Sequence, residues 1–307
     1  MHEHLAPIVY FLLVHFLYAS LVCVAAWLVT STPGASANVK YWIWVATFLN
    51  FVVPLAGCLD GFGAWDIHGA TQITVLAAVG IEAAQHAALA SVFLALWFIG
   101  TSLLLARLYS RIRAERRHAS TAEHDRAPDL LVQGIPVCFS ATRGPSVEGV
   151  LGSRIYLPHG IERQLSEGEL DAVLAHEVTH AKRHDNLLRL MYEVALCVLW
   201  FHPFLWIMGS RLALYRELSC DEAAIRRASG SDLLSALAKL ARLEHPVVLR
   251  SMASSQLSDR LKVLLAPQPR SARGLANTAV VAAFSALFFC GLGLTIAHTA
   301  CCLVVRT

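Results

Sequence analysis

Two histidines stand four residues apart, with a glutamate after the first, in Leu174-Ala175-His176-Glu177-Val178-Thr179-His180. On a helix, positions four apart share a face, with about 5–6 Å between their Cβ atoms. Two imidazoles so spaced reach one zinc ion through bonds of about 2.0–2.1 Å. Glu177 sits about 100° further round the helix. From there it can take a proton from water as a general base without itself being a ligand. The other reading of the same residues is a solvated helix face, and a chain with 14 histidines meets so short a pattern easily by chance.

A catalytic zinc takes three protein ligands and keeps a fourth position open, so the pattern needs a further donor downstream. Arg216-Glu217-Leu218-Ser219-Cys220-Asp221 offers one. Glu217 and Asp221 are again four apart, on a helical-looking run that ends near Gly230. Glu217 would be the ligand, and Asp221 would accept the free ring N–H of a ligating histidine and fix its tautomer. Alternatively Arg211, Arg216, Glu217, Asp221 and Glu222 trade surface ion pairs, each of little energetic weight. Cys220 is read as packing, about a turn away from the Glu217–Asp221 edge. The expected cofactor is one Zn2+ per chain.

These residues need a helix under the first pair, a second helix under the other, and a connection that brings the two together. Ser166 followed by Glu169 is a capping box, which predicts a helix start ahead of Leu170, Val173, Leu174, His176 and His180. Upstream, Pro128 to Pro158 is rich in Gly, Val and Ile, with IPVCFS and RIYLP as short β-like runs. Between the pairs lies Leu187–Met208, apolar enough to resemble a membrane span. A span of about 30 Å there would put His176 and His180 on one side of a bilayer and Glu217 on the other. A shared ion therefore requires residues 187–209 to fold back as a helical hairpin. Pro203 supplies the break, and Arg189 and Glu193, four apart, would be costly in lipid. Asp185 and Asn186 suit the N-cap of the first arm, and that cap is the simpler reading of Asp185 than a hydrogen bond to a ligating histidine. Trp200, Phe201, Phe204 and Trp206 at the tip suit either the membrane–water interface or plain core packing.

Of 307 residues 56% are hydrophobic and 15% charged, against about 45–50% and 25% in soluble domains. The excess is concentrated in long runs. Leu5–Val29, Tyr41–Leu55, Ala87–Ala106 and Leu275–Thr299 read as four spans, and Ile73–Gln85, which carries Glu82, as an interfacial lead-in. The start Met1-His2-Glu3-His4 lacks Lys and Arg, and the first run is too long for a signal h-region, so it reads as an uncleaved span. Arg107, Arg111, Arg113, Arg116 and Arg117 follow the third span, and Arg270 and Arg273 precede the last. The positive-inside bias then puts residues 107–273 in the cytosol and both termini and the Cys58–Trp65 loop outside. A net charge of +3 gives no footprint for direct nucleic-acid binding. The eight cysteines contain no CxxC pair and make no disulfide frame; a Cys58 bridge to Cys301 or Cys302 would need a shared oxidising face.

The ordered set Pro145-x-x-x-Gly149, RIYLP, AHEVTH, RHD, WFHPFLW, RELSCDEA and SDRLKVLL resembles the BlaR/MecR-type membrane zinc metalloproteases, receptors that switch on β-lactam resistance genes. The likeness covers about 130–265 and the plan of three spans before and one after. It implies a mainly α membrane protein of four transmembrane helices: 1–106 holding three, a cytosolic α+β zincin-like HExxH domain at 107–273, and 274–307 the fourth with a short outer tail. By position it implies His176, His180 and Glu217 as zinc ligands, Glu177 as base, and an acid at Asp185. It also implies a bacterial inner-membrane antirepressor protease in signal transduction, whose substrate is a cytosolic winged-helix repressor. The sequence ends at Thr307 without an S-x-x-K serine on its outer segments, so the expectation is a receptor of this type lacking the penicillin-binding sensor, signalled through a sensor partner, the lipid bilayer or a homodimer. The alternatives are an HtpX/Ste24-like quality-control metalloprotease, with a similar HExxH and downstream Glu, and a non-catalytic transducer braced by zinc. For the oxyanion stabiliser Tyr215, Arg216, His202 and His159 are candidates, and an edge of 136–157 could bind substrate as an added strand.

Overall fold

The computed structural model describes residues 5–53, 83–118, 128–141, 143–243, 260–265 and 273–304. Met1–His4, the Cys58–Trp65 loop, the lead-in before Ala83 and Arg270 lie outside the described residues. The chain is mainly helical with one small mixed sheet. Helices α1 (Leu5–Ser31), α2 (Ala37–Val52) and α3 (Ala83–His118) come first, and strands β1 (Leu130–Val132), β2 (Ile135–Ser140), β3 (Ser146–Glu148) and β4 (Arg154–Pro158) follow. Then come α4 (Ile161–Gln164), α5 (Glu167–Arg183), α6 (Asp185–Val198), α7 (Pro203–Arg227) and α8 (Gly230–Leu243), a helical turn at 260–265, and α9 (Arg273–Val304).

Among the described residues one helical stretch, Ser91–Ala114, is long and apolar enough to cross a membrane. Its 24 residues rise about 36 Å, enough for a hydrocarbon core of about 30 Å. Phe93, Leu96, Phe98, Ile99 and Leu103 on it are all exposed, an apolar surface of the kind that faces a membrane or another protein. His15–Ser31 and Gly274–Phe289 are shorter apolar helices. Helix α3 runs unbroken past Ala106 through the arginine cluster. Helix α2 begins four residues before the expected Tyr41. Ser36 Oγ accepts from Val39 N–H at 3.2 Å, and the Glu222 carboxylate accepts from the amides of Ala37 (3.0 Å) and Asn38 (3.2 Å). These are the orphan donors of a helix start.

The sheet order is β1-β2-β4-β3, with β2 and β4 parallel and the outer pairs antiparallel, so β3 is an edge strand. Its buried side chains Val137, Ile155 and Leu157 meet Val173 and Val178 of α5 and Ala236 of α8. Helix α5 starts at the Ser166–Glu169 capping box, with Glu169 N–H to Ser166 Oγ at 3.3 Å and Ser166 N–H to Glu169 Oε2 at 2.7 Å.

The apolar run after α5 is broken by the turn 199–202 between α6 and α7. Tyr192 on one arm donates to the Leu205 carbonyl on the other at 2.9 Å. The two readings of the tip aromatics divide. Trp200 packs into the middle of the Ser91–Ala114 stretch, where a Cβ on Gly100 would come 2.8 Å from its indole, and Trp97 Nε1 donates to the Val198 carbonyl at 2.7 Å. Trp206 instead faces outward, 55% exposed. Helix α7, about 37 Å long by its 25 residues, links two cores. Leu205, Met208, Leu212 and Leu218 pack with Tyr41, Trp44, Phe48 and Phe51 of α2, while Ala224 packs with Ala172 and Ala175 of α5.

Candidate metal centre

Helices α5 and α7 cross so that His176, His180 and Glu217 face one another. The two Nε2 atoms are 3.1 Å apart, and Glu217 Oε2 lies 3.5 Å from that of His176 and 3.8 Å from that of His180. Ligands bonded at 2.0–2.2 Å in a tetrahedron stand about 3.4 Å from each other, so this triangle has the size of one zinc face. The residues open onto a cleft of about 430 Å³, with Glu177 on its wall beside Pro145, Ser146 and Val147 at the β3 edge.

Each imidazole uses its other nitrogen on a carboxylate. Asp185 Oδ2 is 2.7 Å from His180 Nδ1. Asp221 Oδ1 is 3.0 Å from His176 Nδ1, off the axis of an ideal hydrogen bond. With the protons on Nδ1, both Nε2 atoms turn lone pairs toward the same point as the Glu217 carboxylate. Three electron-rich atoms this close call for a cation, so the donor set fits a metal ion and zinc in particular. The surrounding carboxylates also favour charge on the rings. Burial opposes it, but Asp221 and Glu217 overcome burial and raise the His176 pKa to about 9. His180 is likewise raised, against burial, by Asp185, Cys220 and Glu217. For Glu217, burial pushes upward and is outweighed by the two histidines and Arg216, which hold its carboxyl far below the usual range. Glu177 goes the other way: burial, helped by Glu217, raises its pKa against the pull of the histidines and Arg260. A carboxyl shifted upward beside water is in the direction a general base needs.

Two expectations require correction. Asp185 is not an N-cap: His184, at φ 54°, holds that position, and Asp185 is the first helical residue with its carboxylate turned back into the fold. His184 takes this left-handed conformation as the single residue between the two helices, which leaves Asp185 free of capping. Cys220 is not remote packing either. Its Sγ and ring nitrogens of His176 and His180 lie within 4.8 Å of one another, because a residue three before or after a helical neighbour shares its face. The His–His–Cys set is looser than the His–His–Glu set, and its thiol is also 3.0 Å from the Arg183 guanidinium.

Of the oxyanion candidates, Arg216 lines the cleft and is paired with Glu217 Oε1 at 3.0 Å. Tyr215 instead donates to the Thr30 carbonyl at 3.1 Å, His202 packs on Phe51, and His159 stacks on Phe139. Sequence reasoning missed Arg260, which grips Asp221 through two bonds of 2.8 and 2.7 Å and comes within 3.6 Å of Glu217. Its signal was present in SDRLKVLL, which carried no chemistry until the fold brought it to α7.

A helix able to cross a bilayer, joined to a cleft where two histidines meet a carboxylate, has the plan of a membrane-associated metallopeptidase. The chain belongs to the peptidase family M56, the BlaR1 peptidases, whose profile matches residues 10–264. It is 27% identical over 165 residues to the regulatory protein BlaR1 of Bacillus licheniformis, a stretch covering 48% of this chain and 27% of that protein. It is 22% identical over 171 residues to the methicillin resistance mecR1 protein of Staphylococcus aureus, covering 51% of this chain and 29% of the relative. The chain thus spans less than a third of the curated relatives it matches. The family is one of signal-transducing metallopeptidases and implies a metal, usually zinc.

Proposed function

We propose that the chain is an integral-membrane zinc endopeptidase whose active site faces the cytosol and whose substrate is a transcriptional repressor, a small winged-helix protein, cleaved in response to a signal. The observation that carries this reading is the convergence of His176, His180 and Glu217 beside the buried, upward-shifted Glu177 in one open cleft. His176, His180 and Glu217 would hold one Zn2+, with Asp221 and Asp185 orienting the two rings. Bound there, zinc would supply Lewis-acid chemistry, polarising a carbonyl and lowering the pKa of a water to about 7. Glu177 takes the proton of the attacking water and hands it to the leaving amine. Edge strand β3 lies at the cleft, and an extended peptide added along it would pass the histidines; Asn186 Nδ2 now donates to the Val147 and Gly149 carbonyls there at 2.9 and 3.1 Å.

In this reading α1, α2, α3 and α9 span the bacterial inner membrane, residues 107–273 are cytosolic, and both termini lie outside, since the arginines from Arg107 to Arg117 cluster in the C-terminal part of α3, after Ala106. Signalling would enter through the bilayer, a sensor partner or a second copy of the chain.

The test compares wild type with Glu177→Gln, both purified in detergent, on a co-encoded repressor. The expected result is equal zinc content with cleavage reduced about 10²–10⁴-fold in the variant. Equal cleavage by both would remove Glu177 from the chemistry. Indiscriminate degradation of damaged membrane proteins, with the repressor spared, would favour a quality-control protease instead.

A further inference from the structure

Tyr41 lies on α2, far from the motif in sequence, and is buried at 2% exposure. Its hydroxyl donates to Asp185 Oδ1 at 2.8 Å, while Asp185 Oδ2 faces His180 Nδ1 at 2.7 Å. The Arg183 guanidinium completes the cluster, donating to Asp185 Oδ2 at 2.6 Å and lying 4.3 Å over the Tyr41 ring. A carboxylate turns easily about its terminal torsion, whose energy wells are broad and nearly two-fold. Held through Oδ2 alone, Asp185 could follow Arg183 and release the histidine. A donor on Oδ1 removes that freedom.

We propose that Tyr41 is a positioning residue for the metal centre: its hydroxyl locks the Asp185 carboxylate, which in turn keeps His180 with Nε2 turned toward His176 and Glu217. This rests on the zinc-site reading given under the proposed function. It makes α2 part of the centre's outer support. The first turn of the same helix is tied to α7 within a few residues of Glu217, through Glu222 to the amides of Ala37 and Asn38 and through Ser219 Oγ to Asn38 Oδ1 at 3.3 Å. A shift of α2 along α7 would therefore reach His180 through a single hydrogen bond to Asp185.

The experiment is chelator competition for zinc by the full chain in detergent, with the visible spectrum of the Co2+-loaded protein as a second readout of ligand geometry. Partners that orient a ligating histidine are worth about 10–100-fold in metal affinity. Tyr41→Phe is expected to weaken zinc binding about tenfold and to alter the cobalt bands. Tyr18→Phe is the control. It also removes a buried hydroxyl from a neighbouring apolar helix, one that donates to the Phe288 carbonyl at 3.0 Å, and it should leave both readouts unchanged. Because Tyr41 acts through Asp185, Tyr41→Phe added to Asp185→Asn should cost little beyond Asp185→Asn alone. Wild-type affinity in Tyr41→Phe, an equal loss in Tyr18→Phe, or full additivity with Asp185→Asn would each overturn the proposal. A wild-type chain that takes up no zinc would instead overturn the zinc-site reading, and this inference with it.

Discussion

His176 and His180 turn the same nitrogen to the same point, yet they are backed from different directions. Behind His176 stands Asp221 on α7, itself clamped by Arg260 from the 260–265 turn. Behind His180 stands Asp185, clamped by Arg183 and by Tyr41 of α2. One ring is anchored by residues downstream of the motif, on α7 and the 260–265 turn; the other is anchored through the apolar bundle in which Tyr41 packs. Both backings join a carboxylate to a guanidinium, which neutralises a buried charge that would otherwise be costly. The difference is the added hydroxyl. The two rings therefore rest on different elements, His176 on α7 and the 260–265 turn and His180 on the start of α6 and on α2.

The largest effect should come from removing what both rings share. Glu217→Ala is expected to abolish zinc retention on dialysis and to lower cleavage about a thousandfold or more, beyond the 10–100-fold of orienting partners. Retained zinc would transfer the third ligand to Cys220. Next, Arg260→Met strips the His176 side of its cation. It leaves Asp221, 1% exposed, beside one fewer positive charge, and should destabilise the fold by about 3 kcal/mol, read as a lowered melting temperature in detergent. A melt unchanged within error would show that the clamp contributes nothing to the fold. Asp221→Asn and Asp185→Asn should each weaken zinc binding about 10–100-fold, but only the second should abolish sensitivity to Tyr41→Phe. The same response from both would erase the distinction between the two sides.

Protons compete with the ion at both rings. Against burial, Asp221 and Glu217 push the His176 pKa up from 6.5 to about 9, and Asp185 shifts His180 in the same direction. Raised values mean that at neutral pH the proton must leave before the nitrogen can bind metal. Apparent zinc affinity should therefore fall as pH drops below about 9, by about tenfold per unit for each proton displaced. Chelator competition between pH 8 and 6.5 measures that slope, and a flat profile would mean the rings are already neutral. The smallest effect belongs to Cys220→Ser, expected to change zinc affinity less than about threefold, since the carboxylate triangle already has the size of a zinc face.

Part of this centre was readable from the chain. The i,i+4 pairs His176/His180 and Glu217/Asp221 follow from helical repeat alone, and the Ser166–Glu169 box marked where α5 begins. The break at Pro203 divided the apolar run into the two helices that the described residues contain. Asp185 was misjudged because N-cap preference is a local statistic, and His184 took the turn in a left-handed conformation that is uncommon outside glycine but that histidine, like asparagine and aspartate, adopts more often than other residues. Cys220 was misjudged because residues flanking a helix edge on either side both face its partner. Arg260 stood in a segment with no chemistry of its own, and Tyr41 stood in an apolar run where nothing distinguished it from its neighbours.

The sequence by itself determined which residues could do chemistry and which stretches are apolar enough for a membrane, because both are properties of residue type and of a period of a few positions. Only the tertiary structure decided which carboxylate serves which histidine, and that a tyrosine 144 residues away completes one of them. Contacts of that span leave no period in the chain. They arise where packed helices happen to cross, here α2 against α7 and the start of α6, and are set by the shapes of the side chains between them.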